Sequence, residues 1–525
     1  MTGFVSLVGA GPGDPGLLTL RAVRRLETAD VVVHDYLVGR RLLAHVRPEA
    51  ELVAVGRGHG HASRMTQAEI EALLVDRARA GRRVVRLKNG DPFLFGRGGE
   101  EAAALHRAGV PFEVVPGVSS ALAVAAYAGI PLTHREHASL VTIVTGHQAP
   151  PSPGGAPAPP ALPWDALARR GGTLVVLMGM SRLPAILDAL AAHGLAADTP
   201  AAAIHWGTTG RQVTVAGTVA TLAARVRDAG IGAPGVVVVG AVAGLRDELR
   251  WFETRPLFGR RIVVTRPRAQ AAGLAEPLED AGAEAVLFPT IALAPPDDPA
   301  PLARAVDAAA GYDWILFTSA NGVRAFFDRL ATAGRDVREL APVRFGVIGP
   351  ETAAALARHL VRPAVQAAEF RAEGLLDALG ADAVRGRRVL VPRAAGAREV
   401  LPETLRARGA TVDEVVAYRA VVPPDADAGG MRAALDAGAV DALTFTSSST
   451  VRNFVALVGP DAVARVARAA RPVVACIGPV TADAARAGGL RVDVVPREYT
   501  AAALAAALVE HFCKAEGDQL SRGAS

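Results

Sequence analysis

The chain has 525 residues, of which 50% are hydrophobic and 21% are charged, and its formal net charge is +5. This length predicts about three or four compact units, and the composition excludes a chain that is disordered throughout. No apolar run near 18 residues, basic leader or basic stretch with interleaved aromatics is present, so we expect no membrane span, secretory signal or nucleic-acid partner. Two cysteines, Cys476 and Cys513, favour a reducing, cytoplasmic setting.

Short apolar runs alternate with Ala/Leu/Arg-rich stretches along the chain, beginning with Phe4–Val8, Val31–Val33 and Arg83–Leu87. Such runs predict a parallel sheet covered by helices on both faces, and therefore an α/β fold. Two segments interrupt this pattern: the Pro/Gly/Ala-rich residues 148–163, which predict an extended linker, and residues 246–260, which predict a junction.

These breaks divide the chain into predicted domains. The first covers 1–252, with lobes at about 1–146 and 164–245 on either side of the linker 148–163. The second covers 257–513, and the polar segment 514–525 predicts a frayed tail.

The second domain contains an internal repeat with an offset of about 128 residues. Gly259–Val264 recurs as Gly386–Val391, and the Phe-Thr-Ser segment at Phe317 recurs at Phe445. The Ile-Gly-Pro segment at Ile348 recurs at Ile477. The repeat predicts two similar α/β lobes with a cleft between them. Ser and Thr in these segments are either helix caps or part of a carboxylate site made by helix N-termini.

A glycine-rich turn, Gly9–Gly16, follows the first predicted strand and precedes a helix. Asp14 occupies the position where a dinucleotide fingerprint requires a small residue, and Pro12 removes one N–H donor, so a phosphate cradle is disfavoured. Asp35, at the end of the second strand, could still serve as a ribose-binding acid. This turn alone therefore leaves a dehydrogenase open.

Further motifs in residues 1–252 resemble the S-adenosylmethionine-dependent tetrapyrrole methyltransferases, and in particular uroporphyrinogen-III C-methyltransferase. The resemblance rests on these segments: Gly9–Leu20, Val33–Val38, Arg86–Glu101, Val115–Ser120, Ala126–Arg135, Val144–His147, Leu177–Gly179 and Gly207–Thr208. It implies a two-lobed methylase fold that binds S-adenosylmethionine. By resemblance, the cofactor-binding residues are Pro12, Asn89, Gly90, Asp91, Leu94, Ser119, Ser120, Met178 and Gly207. Taken singly, Gly90–Pro92 would be an ordinary turn and Met178 a core residue.

The resemblance also implies roles for two charged residues. Asp35 matches a proton acceptor, and the alternatives are a helix cap or an ion pair. Arg97 matches an arginine that binds the carboxylates of the substrate, and the alternative is an ion pair with Glu100 or Glu101.

The chain departs from the family pattern at three positions. Asn89 replaces a glycine, and His34 replaces a tyrosine. Arg57 replaces a lysine that is the proposed proton donor, so we expect Arg57 to bind substrate through charge or hydrogen bonds. Lys88 is one of only two lysines in the chain. It either contacts substrate, braces the adjoining loop, or is a surface residue without a role.

The second domain resembles uroporphyrinogen-III synthase, through Thr265–Pro267, Phe317–Val323, Gly349–Thr352, Ala417–Arg419 and Ile477–Thr481. By resemblance, Tyr418 donates a proton to a leaving hydroxyl, unless it is an amphipathic lid residue. Ser319, Thr352 and Thr481 would bind carboxylates, the alternative for Thr481 being a helix cap.

Together the two resemblances predict a bifunctional enzyme that makes uroporphyrinogen III from hydroxymethylbilane and methylates it to precorrin-2, for siroheme or cobalamin. One alternative joins the methyltransferase to a non-catalytic tetrapyrrole-binding module, and another places its methylation on a later corrin intermediate. The family is commonly dimeric, so a homodimer is expected. We expect no metal, since His59 and His61 lack a partner pair at ligand spacing.

Overall fold

The computed structural model describes residues 3–39, 41–47, 49–56, 65–147, 159–369, 372–397 and 399–523. The chain divides into two compact units, Met1–Phe288 with Asp427–Ser525, and Pro289–Ala426. The first unit has three β-sheets and the second has one, all covered by helices, which confirms the α/β class.

The first lobe is built on a parallel sheet of five strands in the order β3-β2-β4-β1-β5. The strands are β1 (Phe4–Gly9), β2 (Val31–Asp35), β3 (Glu51–Val55), β4 (Arg83–Lys88) and β5 (Phe112–Val115). The helices are α1 (Leu20–Thr28), α2 (Gln67–Arg79), α3 (Gly98–Arg107) and α4 (Ser120–Tyr127), with 3₁₀ turns at Pro15–Leu17 and Leu42–His45. Apolar side chains on both faces of β1, β2 and β4 are buried, as the continuous apolar runs predict.

The second lobe contains a mixed sheet in the order β6-β7-β10-β8-β9. Its strands are β6 (Val141–Thr145), β7 (Thr173–Leu177), β8 (Pro200–His205), β9 (Val213–Thr218) and β10 (Gly235–Val239). Its helices are α5 (Trp164–Arg169), α6 (Leu183–Ala192), α7 (Leu222–Asp228) and α8 (Arg246–Leu249), with 3₁₀ turns at Met180–Arg182 and Ala241–Leu245. Only β6 and β7 are parallel, so the prediction of a parallel sheet is wrong here. A strand that is buried on both faces has the same apolar run whether its neighbours are parallel or antiparallel.

The Pro-rich segment does not separate the two lobes. β6 precedes it and β7 follows it, and these strands are neighbours in one sheet. Helix α4 also packs on this sheet, since Ala121, Val124 and Ala125 share a core with its strands. The second lobe therefore begins near Ser119 rather than after residue 146. Residues 148–158 lie outside the described part of the chain.

The C-terminal half has ten strands and eleven helices in its described residues. The strands are β11 (Arg261–Val264), β12 (Glu284–Leu287), β13 (Ala292–Ala294), β14 (Trp314–Phe317), β15 (Arg344–Val347), β16 (Val365–Gln366), β17 (Arg388–Ala394), β18 (Thr411–Val421), β19 (Ala442–Phe445) and β20 (Val473–Cys476). The helices are α9 (Arg268–Asp280), α10 (Ala300–Asp307), α11 (Ala320–Thr332), α12 (Pro350–Ala357), α13 (Ala372–Leu379), α14 (Val400–Ala407), α15 (Ala428–Asp436), α16 (Ser448–Val458), α17 (Pro460–Arg468), α18 (Pro479–Ala487) and α19 (Ala501–Gly523), with 3₁₀ turns at Ala309–Gly311 and Val337–Leu340. The backbone is helical to Gly523, through most of the segment predicted as a tail.

The two sheets of this half have equivalent cores, β12-β11-β19-β20 and β18-β17-β14-β15, parallel throughout. The second sheet adds β13 and β16 at its edges. Each sheet combines the first strand of one sequence repeat, β11 or β17, with later strands of the other repeat. The lobes are similar as predicted, but each lobe draws on both repeats, because β11 pairs with β19 and β17 pairs with β14.

One hydrogen-bond arrangement recurs at the amino ends of three sheets. An aspartate just before a strand accepts a hydrogen bond from the backbone N–H of an arginine at the start of the neighbouring strand. The pairs and their distances are Asp30 and Arg83 at 2.8 Å, Asp313 and Arg388 at 2.9 Å, and Asp441 and Arg261 at 2.8 Å. The last two pairs occupy equivalent positions of the repeat, so they support the equivalence of the two sheets.

Candidate active sites

Three loops at the carboxyl edge of the first sheet pack backbone against backbone. Gly11 and Gly90 exchange hydrogen bonds of 3.2 and 2.8 Å. A Cβ on Gly117 would lie 2.3 Å from the carbonyl oxygen of Gly90, and one on Gly9 would lie 2.5 Å from the Cα of Gly117. Only glycine allows this approach, so the glycine motifs have a structural cause: they bring the turns after β1, β4 and β5 together.

These turns border a cavity of about 1150 Å³ that extends to the second lobe. Six of the nine predicted cofactor residues line it: Pro12, Asn89, Leu94, Ser120, Met178 and Gly207. Met178 is half exposed, so the alternative of a core residue is wrong. The cavity therefore collects motifs from both lobes, as the resemblance implies.

The other three predicted cofactor residues, Gly90, Asp91 and Ser119, are not among the lining residues. Asp91 accepts hydrogen bonds from the backbone N–H groups of Phe93 at 2.8 Å and Gly117 at 3.1 Å. Ser119 caps α4 by accepting from the N–H of Ala121. These residues position the loops that line the cavity.

Backbone strain is concentrated at the same cavity. Six non-glycine residues have positive φ in the described chain, and five of them line it: Phe95, Arg97, Met178, Trp206 and Thr208. Such conformations cost of order 1–3 kcal/mol each and persist where the surroundings enforce them. Their clustering supports a functional site at this position.

Asp35 lies at the end of β2 on the cavity wall, and two donors hold its carboxylate. The Nη2 of Arg86 donates to Oδ1 at 2.5 Å, and the backbone N–H of Asn89 donates to Oδ2 at 3.2 Å. The ion pair that the sequence left open is therefore present. Because the side chain retains 27% exposure, it is both oriented and accessible from the cavity.

A buried carboxylate, Glu101, lies behind Asp35. Its Oε1 accepts from the Nε of Arg86 at 3.1 Å and from the Nζ of Lys88 at 2.9 Å, while Oε2 has no hydrogen-bond partner. Glu101 is fully buried, and Arg86 and Lys88 are each 2% exposed. Burial, and then the Arg86 charge, lower the pKa of Lys88. Burial alone would lower the pKa of Arg86. The charges of Asp35 and Glu101, and the hydrogen bonds to them, have the larger combined effect, so the pKa of Arg86 is raised.

Arg86 and Glu101 were not among the predicted site residues. A signal for them exists in the strand: Arg86 and Lys88 are two apart, so they lie on one face of β4. Two cations on one face of a buried strand require a carboxylate partner. Lys88 is consequently not a surface residue, and that alternative is wrong.

Arg97 lines the cavity in a left-handed conformation and forms an exposed ion pair with Glu100 at 2.5 Å. Glu101, the other partner considered, binds Arg86 and Lys88 instead. Arg57 lies outside the described residues, as do His59 and His61.

A polar network absent from the predictions joins the first turn to the second lobe. The hydroxyl of Tyr127 donates to Asp14 at 2.6 Å, and the N–H of Asp14 donates to the hydroxyl of Thr208 at 3.2 Å. The side chain of Gln212 then accepts from the N–H of Thr208 and donates to Glu253. Burial, followed by the bond to Asp14, raises the pKa of Tyr127, so the network keeps this hydroxyl protonated.

In the unit Pro289–Ala426, the hydroxyls of Tyr418 and Ser319 form a hydrogen bond of 2.9 Å. Ser319 also caps α11 by accepting from the N–H of Gly322. Tyr418 lies on β18, a strand paired with β17, so it is not a lid residue. Thr352 is the third residue of α12 and is 5% exposed.

Thr481 is in the other unit, at the third position of α18, and is also 5% exposed. The cap of this helix is Gly478, so Thr481 is not the capping residue. Helices α9, α16 and α18 all begin beyond the carboxyl edge of the β12-β11-β19-β20 sheet.

Two further features concern metals and membranes. Among the described residues, His134, Glu136 and His137 hold ligand atoms within 4.8 Å of one another, at a surface turn that the sequence analysis did not identify. In the same part of the chain, no helix combines the length and apolar character that a membrane crossing requires.

Comparisons with known proteins place the two halves in two families. Residues 5–223 match the tetrapyrrole (corrin/porphyrin) methylases, and residues 272–506 match the uroporphyrinogen-III synthase HemD family. A siroheme synthase of Chromobacterium violaceum is 51% identical over 250 residues, covering 48% of this chain and 52% of that protein. A solved uroporphyrin-III C-methyltransferase of Thermus thermophilus is 42% identical, with a TM-score of 0.40, and covers 48% of this chain and 98% of that one.

One relative matches nearly the whole length. The porphyrin biosynthesis protein HemD of Ruminiclostridium josui is 37% identical over 499 residues, which is 94% of this chain and 95% of that protein. This match spans both halves in a single alignment. The chain therefore belongs to the family of porphyrin biosynthesis proteins in which a tetrapyrrole methylase domain is fused to a uroporphyrinogen-III synthase domain.

Proposed function

We propose that this bifunctional enzyme catalyses two consecutive steps. The C-terminal half closes hydroxymethylbilane to uroporphyrinogen III with inversion of the last pyrrole ring, and the N-terminal half methylates this product twice to give precorrin-2. The observation that carries the proposal is the cavity in which Asp35, Arg97 and six of the predicted cofactor residues meet.

The residues around the cavity fit S-adenosylmethionine. Glycine turns allow the backbone to approach a ligand, and the exposed side chain of Met178 offers an apolar surface beside them. When bound, S-adenosylmethionine supplies the electrophilic methyl group. The protein contributes orientation, which accelerates a displacement at a methyl carbon.

Asp35 is the proton acceptor in this proposal. Attack by a pyrrole carbon on the methyl group leaves a proton to be removed, and a carboxylate at the cavity wall is placed to take it. Arg86 and the N–H of Asn89 fix the two carboxylate oxygens, so Asp35 holds one orientation.

Arg97 binds a substrate carboxylate in this proposal. Its present partner, Glu100, is exposed, so the pair contributes little stability and a carboxylate of the substrate can replace Glu100. Arg57 is proposed as a second substrate contact.

Lys88 braces the loop after β4 through its bond to Glu101, and it also lines the cavity, where it can contact substrate. Replacement by arginine tests this role: because a guanidinium is larger than the buried ammonium, we expect turnover or substrate affinity to fall in Lys88→Arg. Unchanged values for both would contradict it.

Ring closure in the C-terminal half requires loss of water from the linear substrate. We propose that Tyr418 donates the proton to the leaving hydroxyl, with Ser319 orienting the tyrosine hydroxyl. Thr352 and Thr481, at the starts of two helices, bind carboxylates together with backbone N–H groups.

We further propose that the chain is a cytoplasmic homodimer, and that its product enters siroheme or cobalamin synthesis. Its two cysteines form no disulfide, in keeping with a reducing compartment.

Product analysis tests the two activities. Purified protein is supplied with hydroxymethylbilane, with and without S-adenosylmethionine, and the products are identified by oxidation and mass. We expect uroporphyrin III without the cofactor and a dimethylated product with it. Uroporphyrin I in both reactions would mean that the C-terminal half is not a working synthase. The methyltransferase would then be assayed with uroporphyrinogen III directly.

A further inference from the structure

The cavity of the methyltransferase half has a second wall that no motif predicted. Besides residues of the first 252, it is lined by Ala283–Phe288, by Arg261 and by one side of helix α15. All of these belong to the C-terminal half but lie in the same compact unit as the methyltransferase. One cavity is thus shared by the two fused enzymes.

Charged contacts hold this second wall in place. Arg41 donates to both carboxylate oxygens of Glu279, at 2.9 and 2.7 Å, and both side chains are mostly buried. Arg211 contacts Glu284 at 3.2 Å and lies over the ring of Trp206 at 3.9 Å. Bidentate and stacked arginines have little freedom to reorient, so these contacts define the geometry of the cavity.

The backbones also meet closely at this contact. A Cβ on Gly210 would lie 2.4 Å from the backbone nitrogen of Glu284. The loop that carries Gly210 also carries Gly207 and Thr208, which line the methyltransferase cavity. The junction itself is packed, because Phe252 is buried between Tyr127 and Phe258. The two halves are therefore joined by a built interface rather than by a loose tether.

The second wall of the cavity is formed by one face of a helix and the length of a strand. Asp427, Gly430, Met431 and Ala434 follow a spacing of three and four, so they form one face of α15. Beside them the cavity follows β12 along its length, from Ala283 to Phe288. The carboxyl end of β12 is the edge beyond which α9, α16 and α18 begin, and α18 carries Thr481. The cavity thus extends from Asp35 to the β12 side of a synthase sheet, and the strand at the other side of this sheet, β20, precedes the helix that carries Thr481.

The chemistry of the wall suits a macrocycle that carries several carboxylates. Within the described residues β12 is an edge strand, so one side of its backbone has no strand partner there and can donate hydrogen bonds. Arg41, Arg211 and Arg261 line the cavity, and each is held by Glu279 or Glu284. Arg211 keeps 42% of its side chain exposed, so its charge can attract a carboxylate of the macrocycle while its contact with Glu284 persists. The volume of about 1150 Å³ exceeds the roughly 300–1,000 Å³ of an ordinary small-molecule site.

We propose that the cavity along β12 and α15 is a passage through which uroporphyrinogen III moves from the synthase to the methyltransferase without release to solvent. The proposal rests on the proposed function, since it requires that one half makes what the other half uses. It assigns β12, α15, Arg41 and Arg211 to substrate transfer, a role distinct from that of the residues at either reaction centre.

Isotope dilution with the full chain tests the passage. The protein receives isotopically labelled hydroxymethylbilane, unlabelled S-adenosylmethionine and a large excess of unlabelled uroporphyrinogen III. The labelled fraction of the methylated product is then measured by mass. Direct transfer predicts a labelled fraction at least about fivefold above that of the free uroporphyrinogen III pool. A labelled fraction equal to that of the pool would overturn the passage.

Two variants localise the effect. Ala434→Trp narrows the passage, and Arg211→Glu places like charges opposite Glu284. Both are expected to bring the labelled fraction down to that of the pool. The matched controls, Ala433→Trp on the exposed side of α15 and Arg227→Glu on the exposed side of α7, should keep the excess label. Retention of the excess in both passage variants would contradict the assigned route.

Separate assays distinguish failure of the passage from failure of the proposed function. Each protein is also given hydroxymethylbilane alone, and uroporphyrinogen III with S-adenosylmethionine. Loss of either single activity in the parent chain overturns the proposed function, and the passage with it. Two intact single activities with fully diluted label overturn the passage alone.

Discussion

The candidate sites of the two halves of the chain consist of different types of residue. In the methyltransferase half, Asp35 is held by buried ions, with Arg86 and Lys88 sharing Glu101. In the synthase half, the candidate residues are hydroxyls at helix starts or on a strand, such as Ser319 and Tyr418. The difference follows the proposed chemistry: proton removal needs a carboxylate held in one orientation, whereas ring closure needs the substrate to be held in one shape. Substitutions should therefore have sharper effects in the first half.

The largest effect is expected from Asp35→Asn. Without a proton acceptor, the methyltransferase kcat should fall by about 10²–10⁴-fold. Synthesis of uroporphyrinogen III from hydroxymethylbilane should be unchanged. Both rates are measured on one preparation, with Asp76→Asn, exposed on α2, as the control. Loss of less than about tenfold would exclude Asp35 as the general base.

Next in size is the effect of Glu101→Gln on stability. The substitution leaves Arg86 and Lys88 buried without their shared carboxylate, which should cost about 3–5 kcal/mol. This loss of unfolding free energy is measured by denaturant titration, with methyltransferase activity as the signal for the folded state. Glu100→Gln is adjacent in sequence but removes only an exposed ion pair, so it should cost less than about 1 kcal/mol. Equal costs for the two variants would show that burial does not govern this cluster.

A smaller effect is expected from Tyr418→Phe in the synthase half. Loss of the proposed proton donor should lower the rate of ring closure by about 10²-fold, while methylation of supplied uroporphyrinogen III remains unchanged. Ser319→Ala removes only the partner of the hydroxyl, so a decrease of about tenfold is expected, equivalent to about one hydrogen bond. The rates are measured by the yield of uroporphyrin III. A larger loss for Ser319→Ala than for Tyr418→Phe would reverse the assigned roles.

The smallest effect concerns a feature that the halves share. Hydrogen bonds from the side chain and then the backbone of Arg83 lower the pKa of Asp30, and the backbone N–H of Arg388 lowers the pKa of Asp313. A lowered carboxyl pKa contributes stability above the ordinary pKa, and this contribution is lost as the pH falls through the lowered value.

The variants Asp30→Asn and Asp313→Asn should each lower the Tm at pH 7 by about 2–4 °C. Melting curves between pH 7 and pH 2 measure the difference from the parent, which should stay level down to about pH 4, the ordinary pKa of an aspartate, and shrink below it. A difference that is constant over this range would mean that the charge of the aspartate does not matter.

Motifs that act through the local backbone were predictable from the sequence. The glycines of the first turn and of the loop after β4 are required by close contacts of backbone with backbone, and this requirement is visible as residue type. The repeat likewise predicted two similar lobes, because equivalent strands and helix starts recur in the same order. Of the alternatives left open, the ion pairs of Asp35 and Arg97 are both present.

Features that depend on strand partners were not predictable. The Pro-rich segment lies between two neighbouring strands of one sheet, although its composition suggested a boundary between lobes. The first strands of the repeats pair with strands of the other repeat, and nothing in the apolar pattern distinguishes that pairing from the simpler one. Apolar periodicity records which faces are buried and not which strand lies alongside.

By itself, the sequence determined the α/β class, the two enzyme halves and the residue types that cluster at the cavity. The tertiary structure decided that Glu101 neutralises two buried cations and that β12 and α15 close the methyltransferase cavity. The physical reason is the separation along the sequence over which each interaction acts. Turn chemistry and helix caps act over a few residues, whereas a buried charge takes its partner, and a cavity its wall, from whichever distant segment packs there.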